Sequence, residues 1–186
     1  MVPTIANRLR SMIKAMQEVV IPAVDPEHAI AQEQAKLVLG SLNLILQQVD
    51  FAHAFEVIDA RDQQSLAREL AGLIDPRTGS SLGDIGAVTE IDRHTKAIED
   101  PTTATDQLQQ INRVLRDTVA GLIAQSELTS DPNLISKITA RVLHYSAAQL
   151  IRERSWAAGT GFDGPGTLPQ IADALRTTTH HPGVQK

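Results

Sequence analysis

Two short spacings in the 186-residue chain could bring metal ligands together: His53 with Glu56, three residues apart, and Glu90 with His94, four apart. Each pair shares one face if its segment is helical. Imidazole and carboxylate side chains suit divalent first-row metals, and helical bundles hold such ions between facing helices. Two pairs could in principle close one site. No His-x-x-x-His or His-Glu-x-x-His strengthens the pattern, and the same pairs serve equally well as solvated or locally paired side chains on charged helices. His53, Glu56, Glu90 and His94 are therefore candidate metal ligands, with the cofactor unknown.

Other chemistries find less support. His28 follows Asp25 by three residues, which predicts a place in the first turn of a helix capped by Asp25. A general base also needs a positioned partner and a pocket. His144 falls opposite the apolar sector of its segment, and His180 and His181 lie in the tail. The run from Gly159 to Gly166 lacks the Gly-Lys-Ser/Thr ending of a phosphate loop, so a connector is expected there. Cysteine is absent, which excludes disulfides, thiolate zinc sites and a cysteine nucleophile, and favours a reducing, cytoplasmic setting. No catalytic residue is assigned, and the balance leans away from an enzyme.

The elements that must position these groups are helical. Hydrophobic residues make up 42% of the chain, ordinary for a globular protein, and the net charge is −5. That charge gives no reason to approach nucleic acid, and with only Phe51, Phe55, Tyr145, Trp156 and Phe162 as aromatics there is little to stack on bases. The longest apolar stretch, residues 37–49, is about two thirds of a bilayer span and is interrupted by Asn43, Gln47 and Gln48, so no transmembrane segment is expected. Arg8, Arg10 and Lys14 precede the first acid, Glu18. This locally basic helix could be a membrane-surface or transit helix, but an ordinary solvated face is the better reading.

Asp-Pro steps at Asp25, Asp75, Asp100 and Asp131 mark places where one helix ends and another begins, since Asp can cap and Pro fits the first turn. Residues 5–20 have helical period, with Pro22 as the stop. Ile30, Leu37, Leu44, Phe51 and Ile58 then recur every seven residues, which predicts a long helix, one or two segments, at the centre of the molecule. Gln47, Gln48 and Asp50 mark the expected bend. Gln34, Ser41 and Gln48, also seven apart, flank that stripe and could fix register or line a pocket. After a loop over 75–83 come a short polar helix, a helix repeating Leu108, Ile111, Leu115, Thr118 and Leu122, and one carrying Leu134, Ile135, Ile138, Val142, Tyr145 and Trp156. Thr167 and Gln170 have capping-box spacing for a last small helix. The expectation is a single all-α domain over 1–176, an antiparallel bundle of about five helices around the long one, with a flexible tail over 177–186.

Arg8-Leu9-Arg10-Ser11-Met12-Ile13, Val20-Ile21-Pro22-Ala23-Val24 and the following Ala31, Ala35, Leu37, Val38, Leu39 and Leu42 resemble a family of small bacterial helical proteins encoded beside acyl-CoA dehydrogenases and aminoglycoside-type phosphotransferases. The resemblance covers the first third of the chain and implies a bacterial accessory protein, with no functional residues to transfer. Together with the apolar stretch it leads to an expected non-enzymatic interaction protein, self-associating as a homo-oligomer or bound to a protein partner. The alternative is a small-molecule- or metal-binding bundle that could carry enzymatic activity.

Overall fold

The stretch expected to be one or two helical segments is two. Helix α2 runs Ala29–Gln48 and α3 runs Ala52–Leu73, and between them Phe51 N–H bonds the Gln48 carbonyl in a tight turn. Gln48 holds this corner, its Nε2 donating to the Trp156 carbonyl at 2.8 Å. The computed structural model describes residues 2–74, 89–127, 131–161, 163–164 and 166–176, and among these every regular element is helical. The fold is an all-α helical bundle. Two compact units divide it: a smaller one of Met1–Ala52 with Ile151–Ala174, and a larger one of His53–Leu150 with Leu175–Lys186.

In the smaller unit α1 spans Ile5–Ala15, capped by Thr4 Oγ1, which accepts from Asn7 N–H at 3.2 Å. It does not stop before Pro22. A π-helical turn, Met16–Val20, widens the helix and leads into the short turn Ile21–Ala23. Ile21 N–H bonds Met16 O, so the carbonyl ladder shifts by one residue just where Pro22 has no N–H to give. Asp25 does not cap α2; its Oδ1 accepts from Glu27 N–H in a local turn, and the cap is His28, whose Nδ1 accepts from Ala31 N–H at 3.2 Å. Leu9 and Ile13 of α1 pack on Leu42 of α2, with Met16, Leu39, Leu46 and Val49 around them.

The larger unit holds the deeper core. Helical residues 89–93, α4 (Thr95–Glu99), α5 (Thr105–Glu127) and the first part of α6 (Pro132–Ala157) pack with α3. One cluster gathers Leu66, Ala67, Leu70, Ile74, Ile91, Leu122 and Ile138; a second gathers Ala60, Ile98, Ile111 and Leu115. The expected stripe on α5 is therefore buried at Leu108, Ile111, Leu115 and Leu122, while Thr118 is half-buried.

The expected centre is a correction. Ile30, Leu37 and Ile45 are exposed, and Leu44 and Ile58 are only half-buried. The turn at residues 49–51 resets the helical phase, so a heptad counted from Ile30 through to Ile58 does not describe one face. On α3 the buried set is Asp59, Ala60, Asp62, Gln63, Gln64, Leu66, Ala67 and Leu70.

The last helix, α7, is Ile171–Arg176. It starts later than the capping-box spacing suggested, because Thr167 Oγ1 donates to the Gly164 carbonyl instead of capping. The expected loop over 75–83 and the tail over 177–186 lie outside the described residues.

Candidate functional site

The four metal candidates all fall in the larger unit, each already engaged. His53 Nε2 donates to the Thr103 carbonyl at 3.1 Å, and a nitrogen carrying that proton cannot ligate. Glu56 accepts from Gln109 Nε2 at 3.0 Å and from Asn112 Nδ2 at 2.8 Å. Glu90 and His94 pair with each other at 3.1 Å, and Arg93 closes on the same carboxylate at 2.8 Å. The structure thus joins Glu90 to His94 but does not gather the two pairs. Among the described residues no group of three or more His, Asp or Glu side chains could hold a metal ion.

A polar cluster not singled out in the sequence sits deeper. The Asp59 carboxylate is almost wholly buried, and it takes three donors from three helices: Gln63 Nε2 of α3 at 2.9 Å, Arg116 Nη2 of α5 at 2.7 Å and the Tyr145 hydroxyl of α6 at 3.3 Å. Gln64 Nε2 beside it donates to the Ile91 carbonyl and to Thr95 Oγ1. A buried carboxylate held this way fixes three helices in register. The signal in sequence was faint: a polar run, Asp62-Gln63-Gln64, between Ala60 and Ala67, which reads as a solvated face until small alanines are taken as close-packing positions.

The chain also carries one serine spelling associated with nucleophiles. Gly79, Ser81 and Gly83 satisfy Gly-x-Ser-x-Gly. They lie outside the described residues, and the nucleophile elbow that uses this spelling sits between a strand and a helix, whereas the element preceding it here is the helix α3.

The smaller unit presents a different kind of surface. Along α2, Ile30, Leu37, Val38 and Ile45 are exposed, Ile30 at 70% and Leu37 at 56%. On a wheel of 100° per residue they share one sector of the helix with Gln34 and Ser41, bordered on the Val38 side by Leu42 and its seam. Of the charged residues of α2, Lys36 projects elsewhere and Glu33 borders the band about 40° from Leu37, so the band carries apolar and neutral groups with one acid at its edge. On α1 the exposed Ile5 and Met12, and in the π-helical turn Val19, add apolar surface beside the buried Leu9 and Ile13. No helix among the described residues is long and apolar enough to cross a membrane.

No protein-family model, no curated protein and no solved structure matches the chain.

Proposed function

We propose that the chain is a non-enzymatic helical interaction protein that self-associates through the apolar band of α2. One observation carries the reading: Ile30, Leu37, Val38 and Ile45 are large, apolar, exposed and confined to one side of a single helix. Scattered apolar residues on a surface need no explanation, but a contiguous band with its one acid at the edge has the composition of an interface centre.

A second copy is the occupant that fits best. The spacing from Ile30 to Leu37 and from Val38 to Ile45 is seven residues, which suits packing of one helix along another. A two-fold contact sets the same patch on both partners, so every group must tolerate its own kind. Gln34 and Ser41 meet this condition, since an amide and a hydroxyl each donate and accept. A charged side chain at either place would repel its symmetry mate.

Sedimentation velocity of the purified protein over about 1 to 100 μM tests the idea, a range spanning ordinary homo-oligomer affinities. Wild type is expected to sediment as an oligomer at the upper end and Leu37→Asp as a monomer with an unchanged circular dichroism spectrum. A wild type that stays monomeric throughout ends the proposal.

A further inference from the structure

The band on α2 has an internal order. Its members are Ile30, Gln34, Leu37, Val38, Ser41 and Ile45, all exposed. The steps between them are four, three, one, three and four, so the series is the same read from either end. On the helical wheel the members lie within about 50° on either side of the direction set by the midpoint between Leu37 and Val38. When two such helices run in opposite directions about a two-fold axis at that midpoint, Ile30 meets Ile45 of the second copy, Gln34 meets Ser41 and Leu37 meets Val38. No member of the band is left over.

A parallel pair would set each residue against its own copy. Two glutamines would then share one layer and two serines another, one thick and one thin, which close packing disfavours. In the antiparallel pair each of these layers holds one Gln and one Ser. Hydrogen bonding separates the arrangements further. Ser41 Oγ donates its proton to the Leu37 carbonyl at 2.9 Å, so toward a partner it can only accept. Two such serines face to face would present two acceptors and no donor. The Gln34 amide supplies what Ser41 lacks, two N–H donors on one nitrogen.

The far end of the helix favours the same choice. A parallel stripe repeating every seven residues from Ile30 and Gln34 would run on to Leu44 and Gln48, and both are engaged within their own chain. Leu44 Cδ1 lies 3.1 Å from where a Cβ on Gly159 would stand, and Gln48 Nε2 donates to the Trp156 carbonyl. The antiparallel series needs neither. Its opposed helix dipoles also attract. Glu33, at the rim, stands roughly 13 Å along the pair from its copy, beyond the screening length at physiological salt.

We propose that α2 pairs with α2 of a second copy in antiparallel register, about a two-fold axis between Leu37 and Val38, with Gln34 Nε2 donating to Ser41 Oγ at two symmetric places. This rests on the self-association proposed above and adds its direction and register.

The chain has no cysteine, so introduced cysteines report proximity without background. Positions 30 and 45 are about 22 Å apart along one helix, but the register sets position 30 of one copy opposite position 45 of the other. A disulfide needs Cα atoms roughly 4.4–6.8 Å apart. Ile30→Cys and Ile45→Cys, each checked for a wild-type circular dichroism spectrum, are mixed while reduced and dilute, concentrated to about 100 μM and mildly oxidised. The mixture is expected to give about tenfold more covalent dimer on a non-reducing gel than either variant alone. Gln34→Cys mixed with Ser41→Cys should do the same, since each of these positions stands roughly 10 Å along the pair from its own copy. Cross-linking of Ile30→Cys or Ile45→Cys by itself, the mark of a parallel pair, overturns the register and leaves self-association standing. So do mixtures that stay unlinked at a concentration where wild type sediments as an oligomer. A wild type that sediments as a monomer throughout ends both readings, which tells the two failures apart.

Discussion

The two units bury their apolar residues to different depths. In the larger, Ala60, Ala67, Leu70, Ile91, Leu108 and Leu115 are fully enclosed; in the smaller, the best-covered large residues, Leu9, Ile13 and Leu42, keep 8–9% of their surface in water. The larger unit surrounds α3 with helices on several sides, whereas the seam of the smaller is one helix laid on another. The segment after α6 reaches the far end of α2, where Gly159 lies against Leu44, but it leaves Ile30, Leu37 and Val38 uncovered. The apolar surplus on α1 and α2 is thus a geometric consequence of a thin core, and the proposed self-association would cover it.

The largest expected effect tests that difference directly. Leu115→Ala should cost about 2–5 kcal/mol in urea unfolding followed by circular dichroism, because the surrounding atoms can relax only partly into the cavity. Leu42→Ala should cost about 2 kcal/mol or less, since water and the open side of the seam already share its environment. Leu70→Asp, at a fully enclosed position, should prevent folding. Equal losses for Leu115→Ala and Leu42→Ala would remove the distinction between the two cores.

Next comes the buried Asp59 carboxylate of the larger unit. Arg116→Ala leaves Asp59 enclosed with Gln63 and Tyr145 as its named donors, and should cost about 1–3 kcal/mol. The figure stays below that of a fully buried pair because half of the Arg116 side chain reaches solvent. Asp59→Asn combined with Arg116→Ala should recover part of the loss. A double variant no more stable than Arg116→Ala alone would mean that the register comes from packing and not from this charge.

Residues with a strong local signal were legible in advance, and those defined by phase or by long-range contact were not. The α5 stripe from Leu108 to Leu122 was readable because nothing interrupts its period, and the turn after Gln48 lies at the bend the amides suggested. The choice of central helix failed because hydrophobic period reports which residues share a face, not whether a neighbour covers that face. Leu37 and Leu70 look alike in sequence; they differ in how many helices surround them. Asp59 was hidden for the complementary reason, since its donors Arg116 and Tyr145 are 57 and 86 residues away and leave no local mark.

A surface comparison then sharpens the proposal for α2. The larger unit also exposes leucine, with Leu143 on α6 64% accessible. Leu143→Asp and Leu37→Asp are both expected to change monomer stability by less than about 0.5 kcal/mol. Only Leu37→Asp should lower the sedimentation coefficient at high concentration. If Leu143→Asp dissociates the oligomer equally, the interface is not particular to the smaller unit.

The smallest effect concerns two Asp-Pro turns. Asp25 of the smaller unit accepts one backbone N–H, from Glu27, while Asp100 of the larger accepts both the N–H and the hydroxyl of Thr102, at 2.8 and 2.6 Å. The Thr102 hydroxyl, then its N–H, hold the Asp100 carboxyl below the ordinary aspartate value. A group depressed in the folded state contributes stability above its unfolded value, near pH 3.9, and loses it as pH falls through the lower folded value. Thr102→Val removes the hydroxyl and should bring the Asp100 titration, followed by carboxyl carbon NMR, back toward the ordinary value. The melting temperatures of wild type and Thr102→Val should then differ slightly at pH 7 and converge in acid. An Asp100 titration that does not move in Thr102→Val would assign the depression to the backbone N–H alone.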